Sequence, residues 1–184
     1  MRRLRYGAAM SLDGYIAGPN GEFDWIPHDP DIDFNEIWSR IDTLVMGRKT
    51  FEVVNQAHSY EGGAHPGSGL QKVVVSRTLR ARDYPNVTVI NDNVADAIAA
   101  LKAKPGKDIW LFGGGGLFQS LLDMGLVDGV DVAVVPVLLG GGIPFLPAPA
   151  NKALLTLEHQ RVYEKSGIVS LEYAVKKRHG RAAA

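Results

Sequence analysis

Four consecutive glycines are the residues best suited to chemistry. In Ile109-Trp110-Leu111-Phe112-Gly113-Gly114-Gly115-Gly116-Leu117-Phe118 an apolar, strand-like run meets the glycines and passes into a helical pattern. Glycine lets a ligand approach the backbone closely, and a helix start offers unpaired N–H groups at the positive end of its dipole. That combination suits a phosphate or pyrophosphate; a tight strand-to-helix turn with no ligand is the alternative. The run is not the fingerprint of doubly wound dinucleotide-binding folds. Gly113-x-Gly115 is present, but Phe118 stands at the third glycine position, and no acidic ribose-binding residue follows at the usual distance. A P-loop is absent too: Gly62 to Gly67 has its spacing, but Ser68 stands where the lysine should be.

Two further segments repeat the theme. Met46-Gly47-Arg48-Lys49-Thr50-Phe51-Glu52 ends a strand in glycine and starts a helix with two cations and a hydroxyl. Cations there oppose the helix dipole, so their placement calls for an anion, unless both are merely solvated. Val75-Ser76-Arg77-Thr78 sets a guanidinium between two hydroxyls, and Arg makes paired, charge-assisted bonds to a phosphate monoester. On a parallel sheet all three segments fall at carboxyl ends of strands, where ligands bind.

The elements that position them follow from periodicity. Leu4 to Ser11 reads as a buried strand closed by Asp13-Gly14. Phe34 to Ile41 has a helical apolar spacing behind Asp33 as N-cap. Thr43 to Met46, Gln71 to Ser76, Val87 to Ile90, Asp108 to Phe112 and Gly129 to Val135 read as strands. Thr50 to Gln56, Val94 to Lys104 and Gly115 to Met124 read as helices, the second capped by Asp92 or Asn93. His58 to Leu70 and Pro136 to Pro149 are loops by composition, and Leu154 to Tyr163 pairs with Ile168 to Lys176 as a hairpin. Alternating strands and helices closed by a hairpin imply an α/β fold: a mostly parallel central sheet, helices on both faces and an antiparallel edge. A single domain is expected over 1–178, with a frayed tail over 179–184.

Composition narrows the partners. The 184 residues carry 20 Lys plus Arg and 20 Asp plus Glu, so no general field attracts nucleic acid or an anionic membrane. There is no cysteine, which removes disulfides, thiolate nucleophiles and cysteine-ligated metals. His28, His58, His65, His159 and His179 show no ligand spacing, so no metal is expected. No apolar stretch is long enough to span a membrane, and the basic start lacks a signal-like apolar core, so a cytoplasmic protein is expected. Asn86-Val87-Thr88 matches a glycosylation sequon, but nothing directs the chain to secretion.

Taken in order, Ala9 … Ser11-Leu12-Asp13-Gly14-Tyr15-Ile16-Ala17, Met46-Gly47-Arg48-Lys49-Thr50, Val74-Val75-Ser76-Arg77 and Phe112-Gly113-Gly114-Gly115 resemble the dihydrofolate reductase superfamily. They look most like the reductase domain of bifunctional riboflavin biosynthesis proteins, and Pro136-Val137-Leu138-Leu139-Gly140-Gly141-Gly142-Ile143-Pro144 is similar to a loop of that branch. The resemblance runs from about Leu4 to Lys176 and implies a dihydrofolate-reductase-like fold. The deaminase motifs of the bifunctional proteins are missing, so a free-standing reductase is expected.

The resemblance also implies NADPH as cofactor. Ala9, Ile16 and Ala17 would border the nicotinamide. Gly47, Lys49 and Thr50 would hold the pyrophosphate from one helix, and Gly113, Gly114, Gly115, Gly116, Leu117 and Phe118 from the other, with Phe118 where tyrosine is frequent. Arg48, Ser76 and Arg77 would surround the adenosine and its 2′-phosphate, which favours NADPH over NADH. Asp13 would shape the first turn and touch substrate, and Trp25 lies with His28 in the substrate-side loop. A proton must accompany the hydride, and Asp31 and Asp33 are the candidate acids; a cap for Asp33 and a solvated loop position for Asp31 are the alternatives. The expected substrate is a small heterocycle, a pterin or ribosylated aminopyrimidine. A divergent dihydrofolate reductase and a non-catalytic NADPH- or folate-binding module are the other readings. A homodimer is expected from the riboflavin branch alone.

Overall fold

A computed structural model of the chain describes residues 1–57 and 69–177. Most of the expected 58–70 loop, with Gly62 to Ser68 inside it, and the expected tail lie outside the described residues. The elements in chain order are β1 (Leu4–Ser11), β2 (Tyr15–Ala17), α1 (Phe34–Ser39), β3 (Ile41–Gly47), α2 (Arg48–Ala57), β4 (Gln71–Val75), β5 (Val87–Ile90), α3 (Val94–Ala103), β6 (Asp108–Gly113), α4 (Gly115–Asp123), β7 (Gly129–Val135), β8 (Ile143–Pro144), β9 (Leu155–Tyr163) and β10 (Ile168–Val175), with a 3-10 turn at Ala81–Asp83.

Eight strands form one sheet in the order β5-β4-β3-β6-β1-β7-β10-β9, while β2 and β8 pair separately. From β5 to β7 neighbours run parallel; β10 is antiparallel to both β7 and β9. This is the α/β architecture expected, with the antiparallel hairpin at one edge.

Alternation along each strand divides the core between two faces. On one face Tyr6, Val45, Val73 and Leu111 pack with Ile98 and Leu101 of α3 and Phe118 and Leu121 of α4. On the other, Leu44, Met46 and Val74 pack with Trp38 of α1 and Phe51 of α2, joined by Trp110 and Phe112. Helices therefore cover both faces, but α1 is only six residues long. The sheet beyond it, over β1, β7 and β9, carries an ionic network instead. Arg5 forms a paired salt bridge with Asp131 and bonds Glu158 at 2.9 Å, and Arg3 reaches Asp108 and Glu158.

Element ends follow local chemistry. Asp33 caps α1 by accepting the amides of Asn35 and Glu36. Ile41, expected as the last helical residue, starts β3 instead and is buried in the sheet. Asn93, not Asp92, is the N-cap of α3, in left-handed backbone (φ 45°) and without a side-chain cap bond.

Candidate cofactor and substrate site

Parallel pairing brings the carboxyl ends of four strands into one row. Met46 lies opposite Gly113, Gly47 opposite Val75, and Val75 opposite Ile90. The glycine run, the Gly47 segment and the Ser76 segment thus share one edge of the molecule, as their spacing suggested. Between β3 and β6 the approach is close: Thr50 Oγ1, in the first turn of α2, stands 3.7 Å from where a Cβ on Gly113 or Gly114 would be. Gly113 has φ +124°, a conformation left to glycine, and the Gly113–Gly114 peptide is cis. The amides of Leu117 and Phe118 bond the Gly114 carbonyl at 3.0 and 3.1 Å. Among the described residues those of Gly115 and Gly116 are left as open donors at the start of α4. Nothing stands within 4 Å of a Cβ built on Gly116.

The outer half of this edge holds a cavity of ≈ 450 Å³ lined by Arg48, Ser76, Arg77, Thr78, Asn91, Leu117 and Ser120, among others. Elements far apart in sequence supply it because β4, β3 and β6 are neighbours in the sheet. Ser76 is buried, and its Oγ accepts the amides of Thr78 (3.2 Å) and Leu79 (3.0 Å). Asn91 Nδ2 donates to the Ser76 carbonyl at 2.7 Å, fixing the turn that carries Arg77. Arg48 pairs with Glu52 at 2.9 Å, while Lys49 and Arg77 are exposed and without an ion-pair partner among the described residues. Two residues of the expected cofactor set have other work. Phe118 is turned into the core, stacked on Tyr6 with ring centroids 4.0 Å apart. A Cβ on Gly115 would stand 2.6 Å from the Pro144 carbonyl oxygen, so this glycine admits the 144–147 chain against α4.

At the other end, the turn after β1 is latched to the long glycine loop. Asp13 accepts the Ser11 hydroxyl (2.7 Å) and the amides of Leu139 (3.1 Å) and Gly140 (2.7 Å). The Ser11 bond, then those two amides, hold its carboxyl below the usual aspartate range. Leu12 and Phe145 add backbone bonds to Val137 and Gly14, and Ala17 pairs with Ile143 across β2 and β8. Ile16 and Ala17 are placed by this second, two-stranded sheet, which has no clear signature in the sequence. Trp25 is half-buried and donates from Nε1 to the Glu22 carbonyl at 3.1 Å.

The two candidate acids lie on the segment entering α1. Asp33 Oδ1 serves as the cap, and Asp31 Oδ1 accepts Lys165 Nζ at 2.9 Å. Sequence reasoning passed over Asp29. It is 2 % exposed and accepts the amides of Asp31 (2.9 Å) and Ser166 (3.1 Å), tying the α1 approach to the tip of the β9–β10 hairpin. The Ser166 side chain, followed by the Asp31 amide, holds this carboxyl below the usual range. A partner 137 residues away leaves no local trace in the sequence.

Between α1 and that hairpin lies a cavity of ≈ 530 Å³ whose lining includes Asp33, Ile37, Trp110, Asp131, Arg161 and Tyr163. Ala9 lies on the same face of the sheet, two residues along the strand from Gly7 and paired with Ala133. The indole of Trp110 covers Gly7 and lies 6.3 Å, centroid to centroid, from that of Trp38. Among the described residues no cluster of His, Asp or Glu could hold a metal ion, and no helix is long and apolar enough to cross a membrane.

Comparison with known proteins places this geometry. The family model of the RibD C-terminal domain matches residues 2–168. The uncharacterized protein YyaP of Bacillus subtilis is 36% identical over 179 residues, covering 94% of each chain. The riboflavin biosynthesis protein RibD of Corynebacterium ammoniagenes is 27% identical over 156 residues, 79% of this chain and 46% of that protein. Among solved structures, dihydrofolate reductase from Enterococcus faecalis, complexed with NADP(H) and RAB-propyl, superposes with a TM-score of 0.62 at 19% identity, covering 96% of both chains.

Proposed function

The chain belongs to the RibD C-terminal domain family, and on that premise we propose that it is an NADPH-dependent reductase of a small heterocycle, of the pterin or ribosylaminopyrimidine class. The observation that carries this reading is the convergence of three strand ends on one edge, with Arg48, Ser76, Arg77 and Leu117 lining one cavity. The residues fit the dinucleotide. Gly113 and Gly114 leave room beside Thr50, α4 offers open amides, and Arg77, unpaired among the described residues and beside a buried serine, suits a 2′-phosphate dianion.

When bound, NADPH supplies a hydride and leaves as NADP⁺. The protein's part is to orient it and to exclude water. Lys49, Thr50 and the α4 amides would hold the pyrophosphate, and Ala9, with only a methyl group, would let a flat ring lie against β1. Ile16 and Ala17, placed by the β2–β8 pairing next to the Asp13 latch, would border that ring. The acceptor carbon gains the hydride as the heteroatom of its C=N or C=O bond gains a proton. Asp31 and Asp33 are the candidate acids, each with one carboxylate oxygen already engaged, Asp31 Oδ1 by Lys165 and Asp33 Oδ1 by the first turn of α1.

The test is direct. NADPH is titrated against the fluorescence of the three tryptophans, and its oxidation is followed with pterin and aminopyrimidine acceptors. No binding at millimolar cofactor would sink the proposal.

We also propose a homodimer through the hairpin edge. Leu155, Leu157 and Val162 are exposed on β9, a nine-residue edge strand, and an apolar edge of that length invites pairing. The double substitution Leu157→Glu with Val162→Glu should halve the sedimenting mass; a wild type that sediments as a monomer at micromolar concentration refutes the dimer.

A further inference from the structure

The loop from Val137 to Pro149 meets both ends of the proposed cofactor site. At one end it meets the turn after β1. Asp13 accepts the amides of Leu139 and Gly140, Val137 accepts the Leu12 amide, and Ile143 pairs with Ala17. At the other it meets the start of α4. There the carbonyl oxygens of Pro144 and Phe145 would stand 2.6 and 3.0 Å from a Cβ on Gly115, and Gln119 Nε2 donates to the Pro149 carbonyl.

The three glycines of this loop differ in what surrounds them. A Cβ on Gly140 or Gly141 would meet nothing within 4 Å. Gly142 has φ +151°, and a Cβ on it would overlap the Ala17 carbonyl oxygen and stand 3.2 Å from its carbon. Those are backbone atoms, so no flexible side chain can swing aside to make room. The missing side chain at 142 therefore lets the loop lie directly on Ala17, which with Ile16 would border the nicotinamide.

We propose that Gly142 is a positioning residue of the cofactor site, setting the place of the Ala17 backbone and, through it, the fit of the nicotinamide half. The proposal rests on the NADPH reading and adds to it a residue that acts through another. The adenosine half is left to Arg48, Ser76 and Arg77. Ser76 and Arg77 follow β4, and the turn that carries Ala17 follows β1. Those strands are separated by β3 and β6, about 14 Å across the sheet, so a shift at Ala17 need not reach Arg77.

Calorimetry on the full chain tests this by comparing NADPH with 2′,5′-ADP, which keeps the adenosine and its 2′-phosphate but has no nicotinamide. Gly142→Ala is set against Gly141→Ala, whose added methyl group meets open space. Gly142→Ala should weaken NADPH about tenfold or more and leave 2′,5′-ADP within about twofold of the wild type. Gly141→Ala should bind both as the wild type does. A general loss of structure would weaken both ligands together. Wild-type NADPH affinity in Gly142→Ala, equal loss of both ligands, or the same loss in Gly141→Ala overturns the proposal and leaves the NADPH reading standing. A wild-type chain that binds neither ligand removes that reading and the proposal with it. If Gly142→Ala does not fold, Asp13→Asn decides, because it weakens the hold on Leu139 and Gly140 without adding bulk to the loop. A selective loss of NADPH there supports the proposal, and wild-type affinity overturns it.

Discussion

Trp110 lies so close over Gly7 that the three atoms nearest a Cβ built on Gly7 are all in its indole ring. One residue is on β1 and the other on β6, so neighbouring strands divide the space on this face of the sheet between a missing side chain and a large one. Gly7→Ala must push the indole out of place. We expect a loss of about 1–3 kcal/mol in denaturant melts, typical of overpacking, together with a shifted tryptophan emission. An alanine variant with wild-type stability and emission would show that the indole does not fill that space.

Arg77 is exposed, unpaired among the described residues, and set in a turn that Ser76 and Asn91 hold rigid. Arg77→Ala should raise the KM for NADPH by about ten- to a hundredfold, the worth of a charge-assisted bond to phosphate, and leave that for NADH unchanged. Arg48→Ala should cost less, because Glu52 already neutralises part of its charge. Equal losses with both cofactors would place Arg77 away from the 2′-phosphate.

Asp13 binds Ser11, Leu139 and Gly140 through its two oxygens. Its carboxyl is depressed in the folded state, so the latch contributes fully above the unfolded pKa of about 3.9. That contribution is lost as pH falls through the lower, folded value. Asp13→Asn has one acceptor oxygen in place of two and should speed amide exchange at Leu139 and Gly140 at neutral pH. Wild-type protein should show the same acceleration only in acid. Protection that survives in Asp13→Asn would mean that the β2–β8 pairing alone holds the loop.

Asp31 and Asp33 can be separated by single changes to Asn. Asparagine caps a helix about as well as aspartate, so Asp33→Asn should melt like the wild type, and it should lose rate only if Asp33 carries the proton. Asp31→Asn loses an exposed pair with Lys165, worth no more than about 1 kcal/mol. If Asp31 carries the proton, its kcat should fall by about a hundredfold or more. Full rate in both variants would leave the proton to water.

Much of this was written locally. The 3.6-residue spacing of Ile98 and Leu101 marks the face that α3 buries, and Asp33 announces the start of α1. Glycines at the ends of β3 and β6, with cations after β3 and β4, suit an anion site, because a backbone that admits a phosphate must lack side chains at the point of approach. The Gly115 and Phe118 pair shows where that reasoning stops. In sequence both belong to the phosphate run, yet one makes room for the 144–147 chain and the other stacks on Tyr6.

By itself, then, the sequence determined the elements, the parallel class of the sheet and the three strand ends that share one edge, since periodicity, caps and glycines act over a few residues. The tertiary structure alone decided what those ends face. Only strand order β3-β6-β1 brings Thr50 to Gly113 and Trp110 over Gly7, and only the return of the hairpin sets Ser166 on Asp29 and Lys165 on Asp31. These contacts join residues more than sixty positions apart, and their strength depends on burial and distance, which no local pattern encodes.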